Sequence, residues 1–329
     1  MAEGGEDALV HWLRRHLGEP AAGLIGDDAA FLPLTGDWAA TVDSQIAGVH
    51  FRPPLAPALL ARRLLAVNLS DLAAVGAEPA FALLALAAPA GWDHRAFFRA
   101  FAAACRAHGV SLAGGDLARS PTLTATLALL GRRPPHGRWV RRDAARYGDV
   151  LWVGGTLGEA ALGCRLVALG ARWKGGGVVL PQSGPNLPPT LAAAARRAVA
   201  RHLLPQPQIA LGRWLGRRRR AAAIDLSDGL SRDLHRLLLA SGVGAEIDAA
   251  SLPLAPRAEP LCRELGCDPG ELALHGGEDY VLLFALPAGA PAPPAGTAIG
   301  RITAEPGARL RGRRGEPLEP RGWDHLAGG

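Results

Sequence analysis

Strand-like apolar runs alternate with helical segments in two successive halves of this 329-residue chain, and Arg132-Arg-Pro-Pro-His-Gly137 interrupts the alternation between them. Such alternation builds sheets with helices packed on them, so the expected fold class is α/β, or α+β, in two domains. The expected division is 1–136 and 137–329. In the first half, strands are predicted at Trp38–Asp43, Phe81–Ala88, Val110–Ala113 and Thr122–Leu130. Phe81–Ala88 reads as a buried strand because it is apolar throughout. Helices are predicted over 8–17, from Pro57 to a stop at Gly76, and from an Asp93 cap to His108 with Gly109 as the C′ residue. In the second half, strands are predicted at Asp149–Val153, Ala222–Leu226, Val281–Leu286 and Thr297–Ile299. Helices are predicted at Thr156–Leu169, 190–203 and 208–218, with one more starting at Ser227-Asp228-Gly229. Gly170–Pro189 reads as a flexible excursion.

Basic residues narrow the chemistry. Of 36 Lys and Arg, only Lys174 is a lysine, and Gly175 follows it. A Walker A loop needs Gly-Lys-Ser/Thr and a protein kinase needs a strand lysine, so both are excluded. A Schiff-base mechanism would rest on Lys174 alone. The net charge is +6, but the arginines are dispersed and aromatics are only 5%. The one dense run, Arg217–Arg220, reads as a solvated helix end, and no nucleic-acid partner is expected. Cys105, Cys164, Cys262 and Cys267 are scattered with no C-x-x-C pair, which argues against a zinc knuckle, a thioredoxin motif or a disulfide scaffold. The first seven residues are acidic, unlike a leader peptide. The longest apolar stretch, Ala80–Trp92, is too short for a bilayer and contains Pro89. A cytoplasmic protein with no membrane partner is expected.

Carboxylates recur on turns beside small residues: Asp27 and Asp28 after Gly26, Asp43 at a strand end, Asp116 after Gly114-Gly115, Asp225 and Asp228 around Leu226-Ser227, and Glu278 and Asp279 after Gly276-Gly277. Asp71 lies three residues after Asn68, on the same helix face. Hard oxygen ligands of this kind hold Mg²⁺, which also keeps water and substrate phosphates. Glycines let phosphate approach the backbone, and amides at a helix start, such as those after Ser227, can hold an anion. Each Asp taken singly is ordinary turn chemistry. Their number across the chain points to a nucleotide site whose positive charge comes from metal.

Several blocks then resemble a known family in order and spacing: Ile25-Gly-Asp-Asp-Ala-Ala30, Thr41-Val-Asp43, Gly48-Val-His-Phe51, Ala66-Val-Asn-Leu-Ser-Asp-Leu-Ala-Ala-Val-Gly-Ala77, Gly114-Gly-Asp116, Ile224-Asp-Leu-Ser-Asp-Gly-Leu230, Gly276-Gly-Glu-Asp-Tyr280 and Gly322-Trp-Asp-His325. They resemble the thiamine-monophosphate kinases, within the superfamily of aminoimidazole ribonucleotide synthetase and selenophosphate synthetase. The resemblance runs from about residue 24 to 325. It implies a two-domain fold like aminoimidazole ribonucleotide synthetase, with N-terminal sheets pairing across a homodimer, an α/β C-terminal domain and ATP between the domains.

Position by position, the resemblance assigns Asp28, Asp43, Asp71, Asp116 and Asp225 to Mg²⁺, with Thr41 and Val42 helping and Asp228 as a further ligand. It assigns Gly115, Asp116, Arg142 and Ser227 to ATP, with His108 where the family often has an aromatic residue near the nucleotide. His50, Glu278 and Trp323 fall at the thiamine-phosphate pocket. Val42 stands where the family usually has Thr, and Leu117 where it usually has Thr after Gly-Gly-Asp. The implied reaction is ATP plus thiamine monophosphate giving ADP and thiamine diphosphate, by direct in-line transfer with several Mg²⁺ ions and no covalent nucleophile. Another ATP-using synthetase of the same superfamily, or a non-catalytic nucleotide-binding paralogue, fits the same blocks.

Overall fold

The structure, a computed structural model, describes residues 12–13, 15–16, 32, 34–181, 187–311 and 316–323. Of the helix expected over 8–17, residues 12–13 and 15–16 are helical and the rest lies outside the described residues. The chain separates into two compact units, one of Met1–Leu72 with Ala77–Pro135, the other of Ala73–Gly76 with His136–Gly329.

In the first unit, β1 (Trp38–Ile46), β2 (Glu78–Ala88), β3 (Ser111–Arg119) and β4 (Thr124–Arg132) form a sheet in the order β1-β4-β2-β3. Only β2 and β3 run parallel. Helices α1 (Pro57–Ala74) and α2 (His94–His108) accompany this sheet. The ends of α2 follow their capping residues: the Asp93 side chain accepts the Ala96 amide at 2.8 Å, and Gly109 takes the left-handed conformation that ends the helix. Its buried stripe of Phe97, Phe98, Phe101 and Cys105 has helical spacing.

Two expectations change here. β2 is not buried on both sides: Ala82, Leu84, Leu86 and Ala88 are buried while Leu83 and Ala85 are exposed. A run of Ala and Leu hides this alternation, because both residue types tolerate either face. Gly114-Gly115-Asp116 is not a turn after a short strand. It lies inside the nine-residue β3, past a register shift against β2.

The second unit holds β5 (Val150–Val153), α3 (Glu159–Ala168), β6 (Arg172–Lys174), β7 (Gly177–Val179), α4 (Pro189–Leu203), α5 (Ile209–Gly216), β8 (Ala222–Asp225), α6 (Leu230–Ser241), β9 (Gly244–Asp248), α7 (Ala258–Glu264), α8 (Pro269–His275), β10 (Leu282–Leu286), β11 (Thr297–Thr303), β12 (Gly307–Arg311) and β13 (Glu316–Pro317). Seven strands make one sheet, β13-β12-β9-β11-β5-β10-β8, in which only β9 and β12 run parallel. Every residue of β10 is buried. Leu283 and Ala285 join the core with Leu234 and Leu237 of α6, while Leu282, Phe284 and Leu286 join the core with Leu211 and Leu215 of α5. Cover on both faces is why its sequence shows no polar alternation.

Gly170–Pro189 contains a β6–β7 hairpin where a flexible excursion was expected. Gly175 and Gly176 both have positive φ, as a two-residue hairpin turn requires, so glycine here specifies a turn. Arg217–Arg220 is not simply a solvated run. Arg218 stacks over the Trp214 ring at 4.3 Å, and Arg220 pairs with the buried Asp149, its Nη2 lying 2.8 Å from Oδ1.

Arg220→Ala leaves the buried Asp149 charge uncompensated. Urea unfolding is expected to show a loss of about 3 kcal/mol, against near-neutral behaviour for Arg219→Ala.

Candidate functional site

In the first unit several of the candidate side chains lie along a polar seam between β1 and α1. Residues 41, 43 and 45 share one face of β1 because strand side chains alternate. Opposite them, α1 offers Asp71, Asn68 and Arg63. The Thr41 hydroxyl donates to Asp71 Oδ2 at 2.5 Å, the Asp43 amide donates to Asn68 Oδ1 at 3.1 Å, and Arg63 Nε donates to Gln45 Oε1 at 2.8 Å. Arg63, Asn68 and Gln45 are buried. Buried polar groups are costly unless bonded, and a row of them beside an apolar helix face holds Thr41, Asp43 and Asp71 at defined positions.

His50 lies at the end of this seam. Its Nδ1 accepts the Ile46 amide at 3.1 Å, so in the neutral ring Nε2 carries the proton. Val42 is on the other face of β1, 61% exposed, in a cross-strand row with Ala128, Leu83 and Gly114. Its side chain is therefore directed away from Asp71. Gly115 stands in the row of Asp43, Leu127 and Leu84, where a Cβ would lie 1.8 Å from the Leu84 carbonyl oxygen, so only glycine fits. Asp116 belongs to the next row, with Ser44, Thr126 and Ala85, on the open face. The fold thus brings Thr41, Asp43 and Asp71 together and directs Asp116 to the opposite face. His108 is exposed in the last turn of α2. Asp28 lies outside the described residues.

In the second unit three turns interlock beyond the ends of β8 and β10. The Leu226 amide donates to Val281, Tyr280 to the Leu226 carbonyl, Glu278 to the Ser227 carbonyl at 2.7 Å, and Trp323 to the Asp228 carbonyl at 3.1 Å. Gly277 has φ of +69°, and a Cβ there would meet the Ser227 oxygen at 2.7 Å. Glu278 and Tyr280 also adopt positive φ. Non-glycine residues pay roughly 1–3 kcal/mol each for such conformations, a cost found chiefly at functional turns.

Asp225 ends β8 and is buried, and Asp228 follows on the turn. Asp228 contacts Arg236 at 2.6 Å, and Arg236 also pairs with Asp233 at 2.7 Å. Asp233 Oδ2 accepts the amides of Asp228 and Gly229. The anion-binding amides expected after Ser227 are therefore already bonded to a carboxylate of α6, an arrangement close to a capping box. Burial, reinforced by the Asp228 charge, raises the Asp233 pKa to about 6. Arg142 is exposed on a single 3₁₀ turn, where its carbonyl accepts the Ser241 hydroxyl.

Trp323 is half exposed beside these turns. The segment before it is pinned by a closed network. Ser231 Oγ donates to the Arg321 carbonyl at 2.6 Å and accepts the Arg321 amide, which leaves its remaining lone pair for His275 Nδ1–H at 2.7 Å. His275 Nε2 then accepts from Arg321 at 2.7 Å. The neutral ring is required, in keeping with a pKa lowered by burial and by Arg321.

Glu278 Oε2 is 2.8 Å from Nδ1 of His202 on α4, a partner that the sequence reading missed. Its signal was the one His of that helix, in a last turn shared with Arg201. Asp279 was also missed as a structural residue. Its two oxygens accept the Gly158 and Ala160 amides at the start of α3.

Burial outweighs these two bonds and raises the Asp279 pKa from 3.8 to about 7. Between those values the folded protein retains a proton that the unfolded chain has lost. This group's contribution to stability therefore falls as pH rises from about 4 to 7, by an upper figure of about 4 kcal/mol. Urea unfolding across that window is expected to show a shallower decline in Asp279→Asn than in the unsubstituted protein.

Residues 26–132 match the family described as AIR synthase related protein, N-terminal domain. The chain is 40% identical over 270 residues to the thiamine-monophosphate kinase of Salmonella typhimurium, covering 80% of this chain and 76% of that protein. It is 38% identical over 324 residues to that of Escherichia coli K12, covering 92% and 91%. Among solved structures, AaThiL complexed with AMPPCP and TMP is similar with a TM-score of 0.76 and 31% identity, over 98% of this chain and 97% of that one. The fold is thus that of the AIR synthase-like proteins.

Proposed function

Because the chain belongs to the thiamine-monophosphate kinase family, we propose that this kinase transfers the γ-phosphoryl group of ATP to thiamine monophosphate, giving ADP and thiamine diphosphate. The observation that carries this reading is the similarity, along nearly the whole chain, to AaThiL complexed with AMPPCP and TMP. AMPPCP is an ATP analogue with a methylene bridge, and we read TMP as the acceptor, thiamine monophosphate.

The acceptor atom is a phosphate oxygen. A phosphomonoester has a second pKa near 6, so it is mostly ionised at neutral pH and needs no strong base. The barrier is repulsion between two polyanions. Thr41, Asp43 and Asp71 offer an all-oxygen donor set that suits a hard cation, and Asp225 and Asp228 offer another. Mg²⁺ held there would neutralise the phosphates and hold them in line. In this reading Asp28 completes the first set, with the Val42 carbonyl standing in for a side chain that faces away, while Asp116, on the opposite face of the sheet, lies outside that set. Gly115 gives phosphate a close approach to the backbone.

Arg142 supplies a two-pronged contact to ATP phosphate, and Ser227 and His108 line the nucleotide. His50 Nε2–H donates to the acceptor phosphate, the bond to Ile46 setting that tautomer. Glu278 accepts from the pyrimidine amine, and the exposed face of Trp323 stacks on the cationic ring. The phosphoryl group passes directly, with no phosphoenzyme. The nucleotide and metal domain spans 1–136 and the second domain 137–329. The open sheet face with Val42 and Leu83 pairs with a second copy in a homodimer. No described helix is long and apolar enough to cross a membrane, and a cytoplasmic location belongs to the same proposal.

The test is chromatographic detection of thiamine diphosphate from purified protein, ATP, Mg²⁺ and thiamine monophosphate. Product is expected from the monophosphate, none from free thiamine and none with EDTA. Confirmed ATP binding without product, or faster turnover of another acceptor, overturns the reading. Asp71→Asn is expected to lower kcat at least about a hundredfold with an unchanged circular dichroism spectrum. Wild-type turnover in that variant removes Asp71 from the site.

A further inference from the structure

A second, chemically different cluster lies on the helix side of the Glu278 turn. Cys164 on α3, His202 on α4 and Glu278 each offer one ligand atom, and these atoms all lie within 4.8 Å of one another. The two helices meet closely. A Cβ on Gly163 would lie 2.0 Å from the Ala198 carbonyl oxygen and 2.9 Å from His202 Cβ, so glycine at 163 is what lets Cys164 and His202 approach. His202 is buried and Cys164 is exposed. A cleft of about 370 Å³ lined by Cys164, Arg165, His275 and Gly276 opens beside the thiol and gives a hydrated ion a path in.

We propose that Cys164, His202 and Glu278 form a regulatory site for a borderline-soft divalent cation, Zn²⁺ in the first instance, distinct from the all-oxygen Mg²⁺ positions. Sulfur, nitrogen and one carboxylate oxygen are zinc's ligands, whereas Mg²⁺ takes oxygen. Bonds of roughly 2.0–2.3 Å place tetrahedral ligands about 3.5 Å apart, which side-chain torsions can reach from the present spread. A solvent molecule takes the fourth position.

On binding, the Cys164 thiol proton leaves to solvent. The His202 ring moves its proton to Nε2 and turns the Nδ1 lone pair from Glu278 to the metal. The other three cysteines suit this role less. The Cys105 and Cys262 thiols are each pushed up to about 12, chiefly by burial, and Cys267 stands beside Cys262. Occupancy ties Glu278 to the α3–α4 side and withholds its carboxylate from the acceptor. This last consequence rests on the reaction proposed above, whereas the site itself does not.

Cobalt(II), a spectroscopic stand-in for zinc, tests the site without any assay of the reaction. Titration of the reduced, full-length protein is expected to give a thiolate-to-cobalt charge-transfer band that saturates at one equivalent and is displaced by Zn²⁺ but not by Mg²⁺. Cys164→Ser is expected to abolish the band, and Cys267→Ser to keep it. No band in the unsubstituted protein, or a band surviving in Cys164→Ser, overturns the site and leaves the phosphoryl-transfer reading untouched. With phosphoryl transfer established, Zn²⁺ is expected to inhibit the unsubstituted enzyme at least tenfold while Mg²⁺ is in excess. Cys164→Ser should retain its basal rate and resist. Equal inhibition of both overturns the regulatory role.

Discussion

The second unit depends on a backbone interlock. The β8–β10 pairing continues past the strand ends through Leu226, Val281 and Tyr280, then through Glu278 to Ser227, and the Asp228 carbonyl takes in Trp323. Side chains on these turns are thereby positioned by main-chain bonds as much as by packing. The rigidity has a conformational cost at Glu278 and Tyr280, and Gly277 is the residue that permits the closest approach. Around it, Asp279 ties the turn to the start of α3, and the Ser231–His275–Arg321 network ties down the segment before Trp323.

The first unit achieves the same end differently. Its acids sit where a strand and a helix share a polar seam, and Arg63, Gln45 and Asn68 give up solvent to hold the register. A purely apolar contact between α1 and β1 would be easier to bury. The cost of burying these polar groups is met by their mutual hydrogen bonds, which fix the register of α1 against β1.

Much of this was legible in the sequence. The ends of α2 followed from Asp93 and Gly109, and α1 from its apolar spacing after Pro57, because capping and periodicity are local. The resemblance across eight blocks led to the family. What stayed hidden depended on partners far along the chain. Arg220 read as one of four solvated arginines until Asp149, 71 residues away, was seen beside it. The helix-start amides after Ser227 read as an anion site, but Asp233 already occupies them. Asp43 and Asp116 read as equivalent acids, although strand register places them on opposite faces, a distinction invisible without knowing where β3 shifts against β2. His202 carried no motif at all, and only the packing of α4 on α3 brings it to Glu278.

The central claim is that the phosphoryl group moves directly between two bound phosphates, with acids placed to hold metal and no side chain as carrier. A single-turnover reaction with γ-labelled ATP and thiamine monophosphate, quenched in denaturant, tests it most directly. The account predicts label in thiamine diphosphate and in residual ATP, with none retained on the denatured protein. Label on the protein, or released as free phosphate while thiamine monophosphate is unchanged, contradicts it.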